Sequence, residues 1–282
     1  LSYLPMKVLY LLSDLLYVIL YKIFGYRTSV VTENLENAFP DKTPEEIDQL
    51  RRDFYHYLCD LMLEVIKAFT ITPAAAERFF TYTQEDLALL QRFCQEKKSI
   101  ILVLGHMGNW ELIGAVFVRA GLHELYAIYH PLANRHFDKL FKKMRQRNGV
   151  KLYRMKDTYK QMVRDKDKLT ATAFIADQTP RPNNAYWTTF LNQETGVFKG
   201  TESISKMLDY PVVYASLIRV KRGLYQVNVD LLAEHPREFA ENELTELHTR
   251  RLERDILEHP HTWLWSHRRW KHKKPEQQDD KQ

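Results

Sequence analysis

Apolar residues recur at Ile47, Leu50, Phe54, Tyr57, Leu58, Leu61, Met62, Val65 and Ile66, the stripe of an amphipathic helix. Its start is marked by Asp41-Lys42-Thr43-Pro44-Glu45-Glu46, with a Thr N-cap, Pro in the first position and acids in the first turn. Residues 33–69 therefore read as helical, and a second helix follows over Gln84–Glu96. After Lys98 the pattern changes to short apolar runs separated by helical ones. Ser99–Leu104, Leu125–Tyr129, Lys151–Tyr153 and Thr170–Ala176 read as strands. Helices are expected between them at Leu112–Ala120, Asn134–Asn148 and Tyr159–Arg164. A helix over Thr201–Leu208 leads to strands at Val212–Arg219 and Leu224–Leu231, which flank the hairpin-like turn Lys221-Arg222-Gly223. A long helix, Glu241–Leu257, and a short one around Trp263–Trp270 complete the pattern. Strands alternating with helices indicate an α/β fold, its sheet mixed because of the late hairpin and flanked by helices.

The segment Tyr3–Phe24 is apolar and long enough to approach a bilayer core, but Lys7, Asp14 and Lys22 interrupt it. No small-residue cleavage site follows, which argues against a signal peptide. The reading is a membrane-associating helix over 1–26, spanning or monotopic, with a buried helix of a soluble domain as the alternative. Lys22 and Arg27 on its flank would keep the rest cytoplasmic. One domain is expected over 27–275 and a disordered tail over 276–282. Net charge is +5, which favours an anionic partner. Cys59 and Cys94 lie in helical stretches without ligand spacing, implying a reducing compartment and neither disulfide framework nor zinc site.

Candidate chemistry sits in Gly105-His106-Met107-Gly108-Asn109-Trp110-Glu111, at the C-terminal end of the clearest strand, where ligands bind in open α/β sheets. A His there can act as general base towards a hydroxyl, and an acid five residues on can orient the imidazole if His106 stands in the turn before the helix. The alternative is a core histidine at a strand end. Spacing alone says little, because 11 His and 36 acids in 282 residues supply about one or two His-x4-acid pairs by chance. The other pair, His248 and Glu253, lies in a charged helix and reads as a solvated face.

The run GHMGNWE resembles the His-x4-acid signature of the lysophospholipid acyltransferase superfamily, in the branch of the bacterial lipid A late (lauroyl and myristoyl) acyltransferases and related glycolipid acyltransferases. Tyr26-Arg27 followed by Glu33–Pro40 is similar to that branch's N-terminal motif, and Ala176-Asp177-Gln178 resembles its second motif. Phe190–Thr201 matches a further region, and Pro260–Lys271 (PHTWLWSHRRWK) is very like its C-terminal signature. The resemblance implies a glycerolipid acyltransferase-like fold at the bacterial inner membrane, facing the cytoplasm. It implies transfer of a fatty acyl chain from an acyl carrier protein or coenzyme A thioester to a hydroxyl of a lipid acceptor, a lipid A precursor. His106 would be the base and Glu111 its acidic partner, with no metal and no cofactor. Acylation of another head group, an aminolipid or glycosyl lipid, is the alternative reaction. A non-catalytic, membrane-tethered protein binding lipid or carrier is the alternative class.

Other residues carry two readings each. Asn109 is taken with the substrate-binding set. Asp177 and Gln178 would line the acyl or acceptor site, or cap a strand end. Glu194 falls where relatives carry another acid, yet a surface-loop acid fits better. Lys199-Gly200-Thr201 would hold a phosphate or an oxyanion at a helix start, or serve only as an N-cap. In the basic, Trp-bearing tail, Arg268 and Arg269 would meet phosphate on an acceptor or an anionic membrane surface, and no nucleic acid is expected. The basic helix Asn134–Asn148 would dock an acidic carrier or face water.

Overall fold

In a computed structural model of the chain, residues 1–275 are described; the tail 276–282, expected to be disordered, lies outside them. The chain runs α1 (Met6–Tyr17), continued by a π-helical turn to Ile23, then α2 (Thr28–Ala38) and α3 (Pro44–Ala68). A short α4 (Pro73–Ala76) and β1 (Phe80–Thr81) precede α5 (Gln84–Gln95). Alternation then sets in: β2 (Ile100–Leu104), α6 (Ile113–Ala120), β3 (Glu124–Tyr129), α7 (Arg135–Arg147), β4 (Lys151–Arg154), α8 (Thr158–Arg164) and β5 (Thr170–Ile175). A hairpin of β6 (Ala185–Phe190) and β7 (Gln193–Phe198) leads to α9 (Gly200–Leu208), the long pair β8 (Val212–Lys221) and β9 (Leu224–Ala233), and α10 (Glu243–Glu258).

Seven strands form one sheet in the order β1-β9-β8-β2-β5-β3-β4. The pairs from β8 through β2, β5 and β3 to β4 are parallel, and β8 with β9 is antiparallel, so the sheet is mixed as expected. Central β2 is buried along its whole length, which explains its unbroken apolar sequence. Its side chains alternate: Ile101 and Val103 join the core that includes α3 and α10, while Ile100, Leu102 and Leu104 pack on the side of α5 and α6.

Helix α3 starts as its sequence requires, with a capping box between Thr43 and Glu46 and Pro44 in the first turn. Helix α1 buries Leu9 and Tyr17 but mixes polar and apolar residues on both sides, with Lys7 and Asp14 exposed. Its inward side carries Ser13, which donates to Asp60 at 2.7 Å, and Tyr10, which donates to Glu64 at 2.8 Å. Its outward side leaves Leu11 69% and Leu15 56% exposed. Among the described residues no single helix is long and apolar enough to cross a membrane, and the stretch Met6–Ile23 with Thr28–Ala38 is bent by 88°.

The helical reading of 33–69 is broken between Ala38 and Pro44, one expected helix does not form, and one hairpin is unexpected. Trp263–Trp270 forms no helix; a 3-10 turn over Pro260–Thr262 is followed by irregular chain. Three indoles are bonded to separate partners there, Trp263 to Asp177, Trp265 to the Pro260 carbonyl and Trp270 to Thr195, and these contacts outweigh local helix preference. The same segment is tied to the start of the chain, since the Asn34 amide donates to the Trp265 and His267 carbonyls and Arg27 to that of Ser266. The β6–β7 hairpin is an element that the sequence pattern does not mark. Its turn residues Leu191 and Asn192 both have positive φ, at 50° and 61°, a tight-turn geometry that a Leu in the sequence does not advertise.

Candidate active site

The site follows from register. Parallel β2 and β5 pair Leu104 with Ile175, so the chain two residues beyond each strand end meets its counterpart: His106 faces Asp177. The imidazole Nδ1 lies 2.5 Å from Asp177 Oδ1. Asp177 Oδ2 accepts the His106 main-chain N–H at 2.7 Å and the Trp263 indole N–H at 2.8 Å. Burial works against a charged carboxylate here. The His106 ring, its main-chain N–H and the Trp263 indole outweigh it and hold the Asp177 pKa down to about 2. An ionised Asp177 at Nδ1 leaves Nε2 as the base-bearing nitrogen, and Nε2 is turned to the cleft, 3.3 Å from Gln178 Nε2. Trp110 stands edge-on to the imidazole with ring centres 5.1 Å apart.

Glu111 is placed differently from the expectation. It takes a two-point contact from Arg145, with Nε donating at 2.9 Å and Nη2 to the other oxygen, while the carboxylate bonded to the imidazole is Asp177. Arg145 comes from α7, and the ion pair holds Glu111 to that helix at the cleft wall. Asn109, expected at the substrate, is 0% exposed: its Nδ2 donates to Glu64 and its Oδ1 accepts from the Leu112 N–H. It holds the loop from within. Gly108 must be glycine, because φ is +60° and a Cβ would lie 2.3 Å from the Leu217 carbonyl oxygen.

His106 opens into a cleft of about 580 Å³ lined also by Gln178, Lys142, Arg145, Gly200 and Thr201. The Thr201 hydroxyl is buried in this wall and has no partner among the described residues. Trp110, Glu111, Ile128, Arg145 and Ile175 line this cleft and equally a second, apolar cavity of about 540 Å³ between the sheet and α5 and α6. Lys199 lies half-exposed beside Glu241 at 3.5 Å, outside the cleft lining.

Three other expected positions lie elsewhere. Glu194 is exposed on β7, opposite Thr189 in the hairpin. Arg269 is 3% exposed and turned into the protein, where its Nη2 donates to the Gly196 carbonyl at 2.8 Å and its Nε and Nη1 are buried without a partner among the described residues; Arg268 alone of the two is exposed. Burial lowers the Arg269 pKa to about 10, with Asp177 opposing. His248 is no solvated side chain: it is buried on α10, and burial pushes its pKa down to about 4. The charged residues around it share the helix but occupy other faces.

A family model described as bacterial lipid A biosynthesis acyltransferase matches residues 1–272. No curated protein sequence matches the chain.

Proposed function

The chain belongs to the bacterial lipid A biosynthesis acyltransferases, and on that premise we propose that it carries a fatty acyl group from an acyl carrier protein or coenzyme A thioester to a hydroxyl of a lipid A precursor, with His106 as general base. The observation that carries this reading is buried Asp177 bonded to Nδ1, its pKa held down by its partners, which puts the basic lone pair on Nε2 at the head of the cleft, where an acceptor hydroxyl would take the place of Gln178.

The acceptor hydroxyl gives its proton to His106 Nε2 as its oxygen bonds to the thioester carbonyl carbon. The carbonyl π electrons move onto oxygen. Gln178 and the main-chain N–H groups at the start of α9, around Gly200 and Thr201, line the cleft and would supply neutral donors to that oxygen. Collapse re-forms the carbonyl, the carbon–sulfur bond breaks, and the thiolate recovers the proton from the imidazolium. Glu111 keeps Arg145 extended along the cleft, where the guanidinium can meet anionic groups of either substrate. The adjoining apolar cavity, entered past Trp110 and Ile128, suits the acyl chain.

The purified protein, given a lipid A precursor and either acyl carrier protein or coenzyme A thioester, is expected to release thiol and add one acyl mass to the lipid. Mass spectrometry of the product lipid with thiol titration checks this. Thiol release with no acylated lipid would contradict transfer to that acceptor, and a single active donor would decide between the two carriers.

The outward Leu11 and Leu15 of α1 support attachment to a lipid surface. Leu11→Asp with Leu15→Asp is therefore expected to release most of the protein from sedimenting phospholipid vesicles, with the fold intact by circular dichroism. Undiminished sedimentation of the double variant would exclude this face as the attachment.

A further inference from the structure

One carboxylate outside the cleft reaches both the catalytic loop and the N-terminal helix. Glu64 on α3 is 0% exposed. Its Oε2 accepts from Asn109 Nδ2 at 2.7 Å and from the Tyr225 hydroxyl on β9 at 2.7 Å, and its Oε1 accepts from the Tyr10 hydroxyl on α1 at 2.8 Å. Tyr57, two helical turns earlier on the same face of α3, donates to the Gly108 carbonyl at 2.6 Å. One face of α3 therefore grips Gly108 and Asn109, the residues two and three places after His106. Asn109 in turn fixes the start of α6 through the Leu112 N–H. Burying a carboxylate is costly unless its lone pairs are occupied, and here three donors occupy them. Burial pushes the Glu64 carboxyl up, and these hydrogen bonds with nearby Arg219 oppose that.

We infer that Glu64 is a positioning residue for the loop bearing His106, and that Tyr10 makes α1 part of the same support, so that the lipid-facing helix contributes to turnover as well as to attachment. The helix is held for this role along its inner side. Ser13 donates to Asp60, and Arg222 bonds Asp60, Asp14 and the Tyr10 carbonyl. A shift of α1 would draw Tyr10 from Glu64 and leave a buried acceptor short of a donor, at the expense of Asn109. The inference rests on the proposed role of His106 for its kinetic part and on the contacts alone for its structural part.

The test uses full-length protein in detergent, away from any bilayer, at a temperature well below the melting point of every variant. Tyr10→Phe removes one hydroxyl and is expected to lower kcat about fivefold, the weight of one buried hydrogen bond. Glu64→Gln keeps the shape, cannot accept from all three donors, and is expected to lower kcat about tenfold or more. Both substrates' KM values should stay within about twofold, and the double variant should be no slower than Glu64→Gln, since Tyr10 acts through Glu64. Hydrogen exchange of residues 105–112 should speed up in both variants, a readout independent of what His106 does. Wild-type kcat with unchanged exchange at 105–112, or losses confined to KM, would overturn the inference. Should Glu64→Gln fail to fold, Tyr10→Phe decides by the same criteria. If His106→Ala proves active, the fault lies with the general-base reading, and exchange at 105–112 alone decides the link.

Discussion

His106→Ala is expected to lower acyl transfer by about two to four orders of magnitude, the range for loss of a general base. The side chain is partly open to the cleft; the change removes its edge-on contact with Trp110 and one partner of buried Asp177, which keeps the main-chain N–H of residue 106 and the Trp263 indole, so the fold should survive with a lowered melting point. Thioester consumption and lipid product should fall together, because the same proton transfer starts the step that yields both. Circular dichroism and the melting curve would confirm an intact protein. Transfer within about tenfold of wild type would end the case for His106 as base. His248 is a poor comparison residue despite its matching His-x4-acid spacing, since it is buried and its removal opens a hole beside α10. The exposed His136 serves better.

Asp177→Asn is the second large effect, expected at about two to four orders of magnitude in kcat. The amide cannot accept from Nδ1–H, the Trp263 indole and the main-chain N–H of His106 without presenting its own NH2 to one of them. Turned towards the ring, that NH2 selects the tautomer with the proton on Nε2, the wrong nitrogen. Glu111→Gln should cost much less, because it loosens Arg145 and leaves the imidazole's partner in place. A larger loss from Glu111→Gln than from Asp177→Asn would reverse the assignment. The same carboxylate bears on acid stability. Its folded pKa is depressed, so its contribution is whole above about pH 4, the ordinary carboxylate value, and is lost as pH falls through about 2.

The placement of His106 at a strand end opening a helix can be read from Ile100–Leu104 and the glycines after it, because a buried parallel strand and a close-approach turn leave local marks. The partner of its imidazole leaves none. Asp177 is 71 residues away, and only the β2–β5 register brings it there, so nearby Glu111 is the natural choice until the strands are paired. Arg269 fails for a related reason. Charge and an aromatic neighbourhood suggest a surface that binds phosphate, but which side of an irregular segment points inward depends on what it packs against, here the β6–β7 hairpin. Amphipathic α3 and the β8–β9 pair were legible because periodicity and caps are local. The outward Leu11 and Leu15 were legible only as apolar residues, without the direction they face.

The strap that carries Trp263 also places the site in time. Trp265 and the Asn34 that holds it are 231 residues apart, and Trp263 completes the donors around Asp177. At about 5–20 residues per second, a ribosome makes Asn34 roughly ten to fifty seconds before its partner. Until then His106 and Asp177 lack the indole that fixes their carboxylate, and the N-terminal helices wait without the segment that binds them. Chains that stop before Trp263, through nonsense codons or messenger breakage, should thus be unable to transfer acyl groups and recognisable to proteases by an unclosed core.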